Sequence, residues 1–173
     1  MTGTRDGVPA PVVPKYALIE RERRWRVDPA RRPALTDDGV LIEDRYITGT
    51  RTRLRRITSA AGMIHKLTKK YPSGDPLARS IVTAYLDAEE YAVFAALAAA
   101  PLVKRRHPVT ADGLRFSVDR FEGPLVGLEL AEIERPDAAS LIAIAPPAWL
   151  THDVSHDPRY DGASLAYHGL PKD

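Results

Sequence analysis

Polar and apolar positions alternate along most of the chain in short runs separated by turn residues, the signature of antiparallel β-structure. The runs predict strands at 16–27, 40–48, 51–57, 62–70, 79–86, 102–108, 114–121 and 125–134. In LIERERRWRV, Glu20, Glu22, Arg24 and Arg26 recur every second residue, so they share one face of a strand. Arg51, Arg53 and Arg55 repeat the pattern, as do Lys66, Thr68 and Lys70, then Lys104 and Arg106, and finally Glu132 and Glu134. Eight such strands predict a sheet that closes, fully or nearly, into a barrel. The fold class is α+β and mainly β.

Two helices interrupt the strands. Asp87 followed by Glu90 reads as a capping box that opens a helix running to Ala100, with Pro101 as its stop. Tyr91, Phe94, Ala95 and Ala98 fall at helical spacing, so that face is expected to pack on the outside of the sheet. A second helix is expected from Pro136 to about Ala143. After the Pro146–Pro147 pair the chain reads as loop with one short helical turn.

The charged faces admit two readings. They are either the wetted side of an open sheet or the lining of a closed one. Interspersed signs keep a surface soluble, yet here glutamates gather on the first and last long strands and cations on those between. Outer-face residues Ile19, Trp25, Leu67, Val118 and Ile133 would need cover, whereas Arg21, Arg23, Arg56 and Lys69 would be outside and wet. Turned inward, paired carboxylates form a hard-oxygen site suited to Mg²⁺ or Mn²⁺. The guanidinium and ammonium groups would meet phosphate oxygens. Like charges on neighbouring strands would repel, which points to a bound anion and metal.

Composition narrows the classes. The chain has 173 residues, consistent with one domain. Zero cysteines exclude disulfides, thiolate metal sites and a catalytic thiol, and fit a cytoplasmic protein. No apolar run reaches the ~18 residues of a membrane span, and no signal-peptide core begins the chain. Residues 1–14 read as a loose tail before a domain at 15–173. A net charge of +2 carries no signature of a specific nucleic-acid partner. His65, His107, His152, His156 and His168 show no ligand spacing for zinc, no serine sits in a nucleophile elbow, and no glycine-rich phosphate loop occurs. A homodimer is compatible with the sequence.

Six stretches in order resemble the CYTH domain, the triphosphate tunnel metalloenzymes. They are Glu20-x-Glu22-x-Arg24, the arginine strand, Leu67-Thr68-Lys69-Lys70, Asp119-Arg120-Phe121-Glu122-Gly123 with Gly127-Leu128, Ala131-Glu132-Ile133-Glu134, and Trp149 through Arg159-Tyr160. The resemblance spans about Lys15 to Leu165. It implies an eight-stranded antiparallel barrel whose tunnel binds triphosphate with divalent metal, and whose members hydrolyse triphosphates or cyclise ATP. By position it implies Glu20, Glu22, Glu132 and Glu134 as metal ligands, with Asp119 added by strand parity. Arg24, Arg53, Arg55, Lys70, Lys104, Arg106 and the tunnel-facing Arg159 would bind substrate. Lys70, Glu22 and Tyr46 would carry catalysis.

Departures accompany the match. Arg24 replaces the usual lysine, and Ile81 and Thr83 stand where the fifth strand often carries acids. The expected function is metal-dependent hydrolysis of a small triphosphate, inorganic triphosphate first. A second, weaker metal would activate water for in-line attack. The alternatives are a non-catalytic triphosphate- or polyphosphate-binding module, and an adenylyl cyclase forming cyclic AMP.

Overall fold

The computed structural model describes residues 12–35 and 39–172. The expected tail lies outside them except at 12–14. Nine strands run in the order β1 (Leu18–Val27), β2 (Val40–Ile47), β3 (Thr52–Ser59), β4 (Gly62–Lys70), β5 (Ala78–Leu86), β6 (Ala99–Ala111), β7 (Leu114–Phe121), β8 (Glu129–Glu134) and β9 (Leu150–Asp153). Every pairing is antiparallel. The sheet order is β5-β4-β3-β2-β6-β7-β8-β1-β9, and a further β5–β1 pairing closes the first eight strands into a barrel. β1 divides one edge between two partners: Leu18–Arg21 pairs with β5, and Trp25–Val27 pairs with β9. No helix among the described residues is long and apolar enough to cross a membrane.

The eight barrel strands match the sequence pattern to within a few residues, save that 123–125 form a 3-10 turn ahead of β8. The alanine-rich segment departs more. α1 (Ala88–Ala95) opens on the expected capping box of Asp87 and Glu90, but it stops five residues early, and Pro101 lies inside β6 opposite Arg45. Alanine's helix preference yields here to pairing, since Ile47 and Tyr46 take Ala99 and Ala100 as ladder partners. Arg45 completes the stop by donating from Nη2 to the carbonyls of Ala95 (3.1 Å) and Leu97 (3.2 Å), groups a helix C-terminus leaves unpaired. α1 buries none of its residues deeply, and Tyr91 stacks on His65 at 4.2 Å between ring centroids.

Two apolar cores lie on opposite sides of the barrel wall. Outside, Trp25, Val118, Ala131 and Ile133 are covered by α2 (Ala138–Ile142), Ile144, Trp149 and Leu150. Phe116 stands edge-on to both Trp25 (6.3 Å) and Trp149 (5.6 Å), the preferred arrangement of aromatic quadrupoles. The cover that Trp25, Val118 and Ile133 needed is thus supplied, Leu67 is half-buried, and Ile19 remains 54% exposed. Inside, Leu102, Phe121 and Leu130 meet Tyr160 and Leu165, the latter from a C-terminal helix, α3 (Gly162–His168), that the sequence reading reduced to a single turn. These residues form an apolar floor to the tunnel.

Arg23 corrects a second expectation, because it is not wet. Its guanidinium lies 4.5 Å from the centroid of Trp25. It also donates to Asp153 (2.7 Å) and to the carbonyl of Ile144 (3.1 Å). β9 and the segment after α2 cover it. Arg56 does stay outside, in a two-bond fork with Glu43 at 2.6 Å each.

Candidate active site

The inner face of the barrel encloses a cavity of about 1280 Å³. Its lining follows the two-residue parity of the strands: Glu20, Glu22 and Arg24 from β1, Arg53 and Arg55 from β3, Lys66, Thr68 and Lys70 from β4, Lys104 and Arg106 from β6, Glu132 and Glu134 from β8. The charged set therefore faces inward, except Arg26 at the end of β1, which is exposed, and the open-sheet reading falls away.

Antiparallel register places Glu22 opposite Glu134 on the neighbouring strand, with Glu20 two residues along β1. One carboxylate oxygen from each of these three residues lies within 4.8 Å of the others. Burial raises the carboxyl of Glu22 above its ordinary value, and the nearby charge of Glu132 adds to this. Burial likewise raises Glu134, with Glu20 and Glu22 as the repelling neighbours. For Glu20 the balance reverses. Burial opposes ionisation, but Lys70, bonded at 2.7 Å, more than offsets it and lowers the group. Three hard oxygens with a local excess of negative charge match the donor chemistry of Mg²⁺ or Mn²⁺.

Glu132 and Asp119 lie outside that three-oxygen cluster. Glu132 accepts from Arg24 Nε (2.9 Å) and Arg106 Nη2 (2.5 Å). Against the cost of its burial, the cations Arg106, Lys104 and Arg24 hold it well below the ordinary range. Asp119, fully buried, takes both forks of Arg106 at 2.7 Å and the ammonium of Lys104. Both acids therefore serve the cations of β6 and β1, and the geometric cluster comprises Glu20, Glu22 and Glu134 alone.

The repulsion expected between cationic strands is relieved by interleaved acids. Arg55 forms a two-bond fork with Asp44 (2.6 and 2.7 Å), and Arg53 lies 3.6 Å from the same carboxylate. Asp44 is 2% exposed; burial works against its charge, but Arg55 and Arg53 bring its carboxyl down to about 2. Burial lowers Lys104 despite Asp119, since Arg106 and Arg55 stand nearby. Arg79 of β5 donates to Asp161 at 2.8 Å. Asp44, Arg79 and Asp161 complete the polar network. The two-residue spacing that links Asp44 to Tyr46 and Arg79 to Ile81 is the signal that could have found the first two, whereas Asp161 comes from a segment without periodicity.

Tyr46 reaches the tunnel floor. Burial, then the charge of Asp44, pushes its hydroxyl up to about 12, so it stays protonated near neutrality. Gly162 at the start of α3 faces it so closely that a Cβ there would lie 2.0 Å from the hydroxyl oxygen. Arg159 does not line the tunnel. It belongs to a 3-10 turn (Pro158–Tyr160), where it donates to Asp157 (2.7 Å) and to the carbonyl of Lys172 (3.0 Å). The turn sends Tyr160 and Asp161 inward and carries Arg159 out. On β5, Ile81 and Thr83 do face the cavity, and Thr83 Oγ1 lies 3.0 Å from Thr68 Oγ1.

A closed eight-stranded antiparallel barrel with acids and cations on its inner face defines the class. The fold is that of the triphosphate tunnel proteins, which the sequence resembles. No family model matches it. A stretch of 62 residues is 37% identical to an inorganic triphosphatase of Acetivibrio thermocellus, covering 36% of this chain and 38% of that relative. The match therefore spans well under half of the relative's length. Among solved structures, the hypothetical protein NE1496 aligns with a TM-score of 0.59 and 26% identity over 85% of this chain and 97% of that one. The inorganic triphosphatase NE1496 gives 0.58 and 24% identity over 85% and 93%, a likeness of fold.

Proposed function

We propose that this protein hydrolyses a small triphosphate, with inorganic triphosphate as the first substrate and a divalent cation on Glu20, Glu22 and Glu134. One observation carries the reading. Within one cavity, a cluster of three acids adjoins a lining of cations. Glu22 and Glu134 are raised by burial and by like charge, the condition that a divalent ion relieves. Such an ion supplies Lewis-acid neutralisation of phosphate oxygens.

The chain's own residues hold the substrate. Lys70 and Arg53 offer donors to the phosphates from adjacent strands, and Arg55 and Arg106 reinforce the field from behind their acids. Phosphoryl transfer then needs little covalent chemistry from the protein. Water forms the new P–O bond at the terminal phosphorus, the bridging P–O bond breaks, diphosphate leaves, and the water's proton passes to solvent. Tyr46, protonated, positions by hydrogen bonding and does not act as a base.

The test is phosphate release from inorganic triphosphate with Mg²⁺, Mn²⁺ or chelator, beside ATP and thiamine triphosphate. Metal-dependent release is expected, fastest on inorganic triphosphate. Folded K70A should lose about 100-fold or more, the scale of removing one charge-stabilising donor. Cyclic AMP from ATP would assign a cyclase instead. Triphosphate binding without turnover would assign a binding module and place the cause at Ile81 and Thr83.

A further inference from the structure

Arg24 occupies the third charged position of the first strand, where a phosphate ligand was expected. Its donors are already committed. Nε donates to Glu132 (2.9 Å) and Nη2 to Glu22 (2.7 Å). Nη1 donates to the carbonyl of Tyr160 (3.0 Å) and more distantly to Asp161 (3.4 Å). All three nitrogens are engaged, on acceptors from β1, β8 and the turn before α3. The side chain is 12% exposed. The backbone beneath is fixed as well, since its N–H donates to Ser155 Oγ (2.8 Å) and its carbonyl accepts from the N–H of Val154 (2.9 Å).

Other cations contrast with it. Arg53 approaches Asp44 only at 3.6 Å, Lys70 makes one bond to Glu20, and Lys66 rests 4.9 Å from the ring centroid of Tyr85. For a phosphate to take Arg24, it would have to displace two carboxylates already held by charge-assisted hydrogen bonds. The bond from Nη2 to Glu22 Oε1, on a guanidinium itself fixed by Glu132 and the Tyr160 carbonyl, restricts the rotation of a carboxylate that also belongs to the Glu20, Glu22 and Glu134 cluster. We infer that Arg24 is a positioning residue that sets Glu22 for the divalent cation, and is not a ligand of the phosphate chain. The inference rests on the reading of the tunnel as a metal and triphosphate site. It also explains the replacement of lysine, because a point-charge ammonium cannot donate in plane to four acceptors spread around it.

The experiment separates the two ligands. Mn²⁺ binding is followed by electron paramagnetic resonance, and triphosphate binding by calorimetry in chelator, for wild type, R24K and R53Q, each checked for folding by thermal unfolding. R24K should weaken Mn²⁺ binding by about 10- to 100-fold, the scale for groups that orient a metal ligand, with triphosphate affinity within about twofold. R53Q should do the reverse. Loss of triphosphate affinity in R24K equal to that in R53Q, or unchanged Mn²⁺ binding, overturns the inference. Wild type binding neither ligand refutes the reading of the tunnel itself before any variant is compared. A crystal structure of the wild type with triphosphate needs no variant. Arg24 still on Glu22, Glu132 and the Tyr160 carbonyl supports the inference, and a phosphate oxygen within hydrogen-bond range of Arg24 ends it.

Discussion

Asp44 is a buried counter-ion for the cations of β3, and D44N should convert that role into a measurable exchange of stability for anion binding. Removing the charge leaves Arg55, 11% exposed in its side chain, without its carboxylate partner. Loss of one member of a buried pair costs about 3–5 kcal/mol. The displacement of the Asp44 carboxyl from its ordinary range to about 2 corresponds to roughly 2.5 kcal/mol, a compatible figure. At about 2–4 °C per kcal/mol for a chain of this size, Tm should fall by roughly 5–20 °C. Differential scanning fluorimetry in chelator, with and without inorganic triphosphate, reads both halves of the effect. Saturation at about 100 times Kd adds about 2.7 kcal/mol to any binder. D44N should gain more than wild type, because Arg55 and Arg53 are released to the anion. The pH dependence has a defined sign. A depressed carboxyl contributes fully above its unfolded value, near 4, and loses the contribution as pH falls through about 2, so the gap between D44N and wild type should close across that window. A D44N protein melting with wild type at pH 7, or gaining no more than wild type from triphosphate, refutes the account.

Two further outcomes follow from named contacts. G162A should lower stability by about 1–3 kcal/mol, since its Cβ would meet the Tyr46 hydroxyl at 2.0 Å, and a double-mutant cycle with Y46F should recover part of the loss. E22Q should abolish metal-dependent phosphate release yet raise Tm in chelator, because a carboxyl raised by burial and by Glu132 costs stability while ionised; a lower Tm in chelator would contradict that sign.

Much of this architecture was legible because a strand's side-chain period of two is rigid. Once Glu20, Glu22 and Arg24 were placed on one face, Ile19, Arg21 and Arg23 had to take the other. The same parity put Asp119 inside, but could not say whether it would meet a metal or an ammonium. That choice depends on β6 bringing Lys104 and Arg106 against it across the ladder. The misread ends have a common cause in tertiary pairing. Ala99 and Ala100 look helical alone and become strand only because β2 offers an edge. Arg159 and Asp161 differ by two residues in a turn without periodicity, and only the 3-10 geometry decides which faces the tunnel. The wetness expected of Arg23 failed because its cover, β9 and the segment after α2, lies more than a hundred residues downstream.

The division of β1's edge bears on the order of assembly. Its partners are remote in sequence: Glu20 faces Arg79, Glu22 faces Glu134, and Trp25 faces both Ala131 and Asp153. Contacts so far apart form late, after the cost of closing long loops has been met. β1, which precedes every strand it pairs with, is thus among the last to find its place. The acid cluster, which needs both β1 and β8, comes into being only when the barrel shuts, so an incompletely synthesised or partly folded chain lacks it.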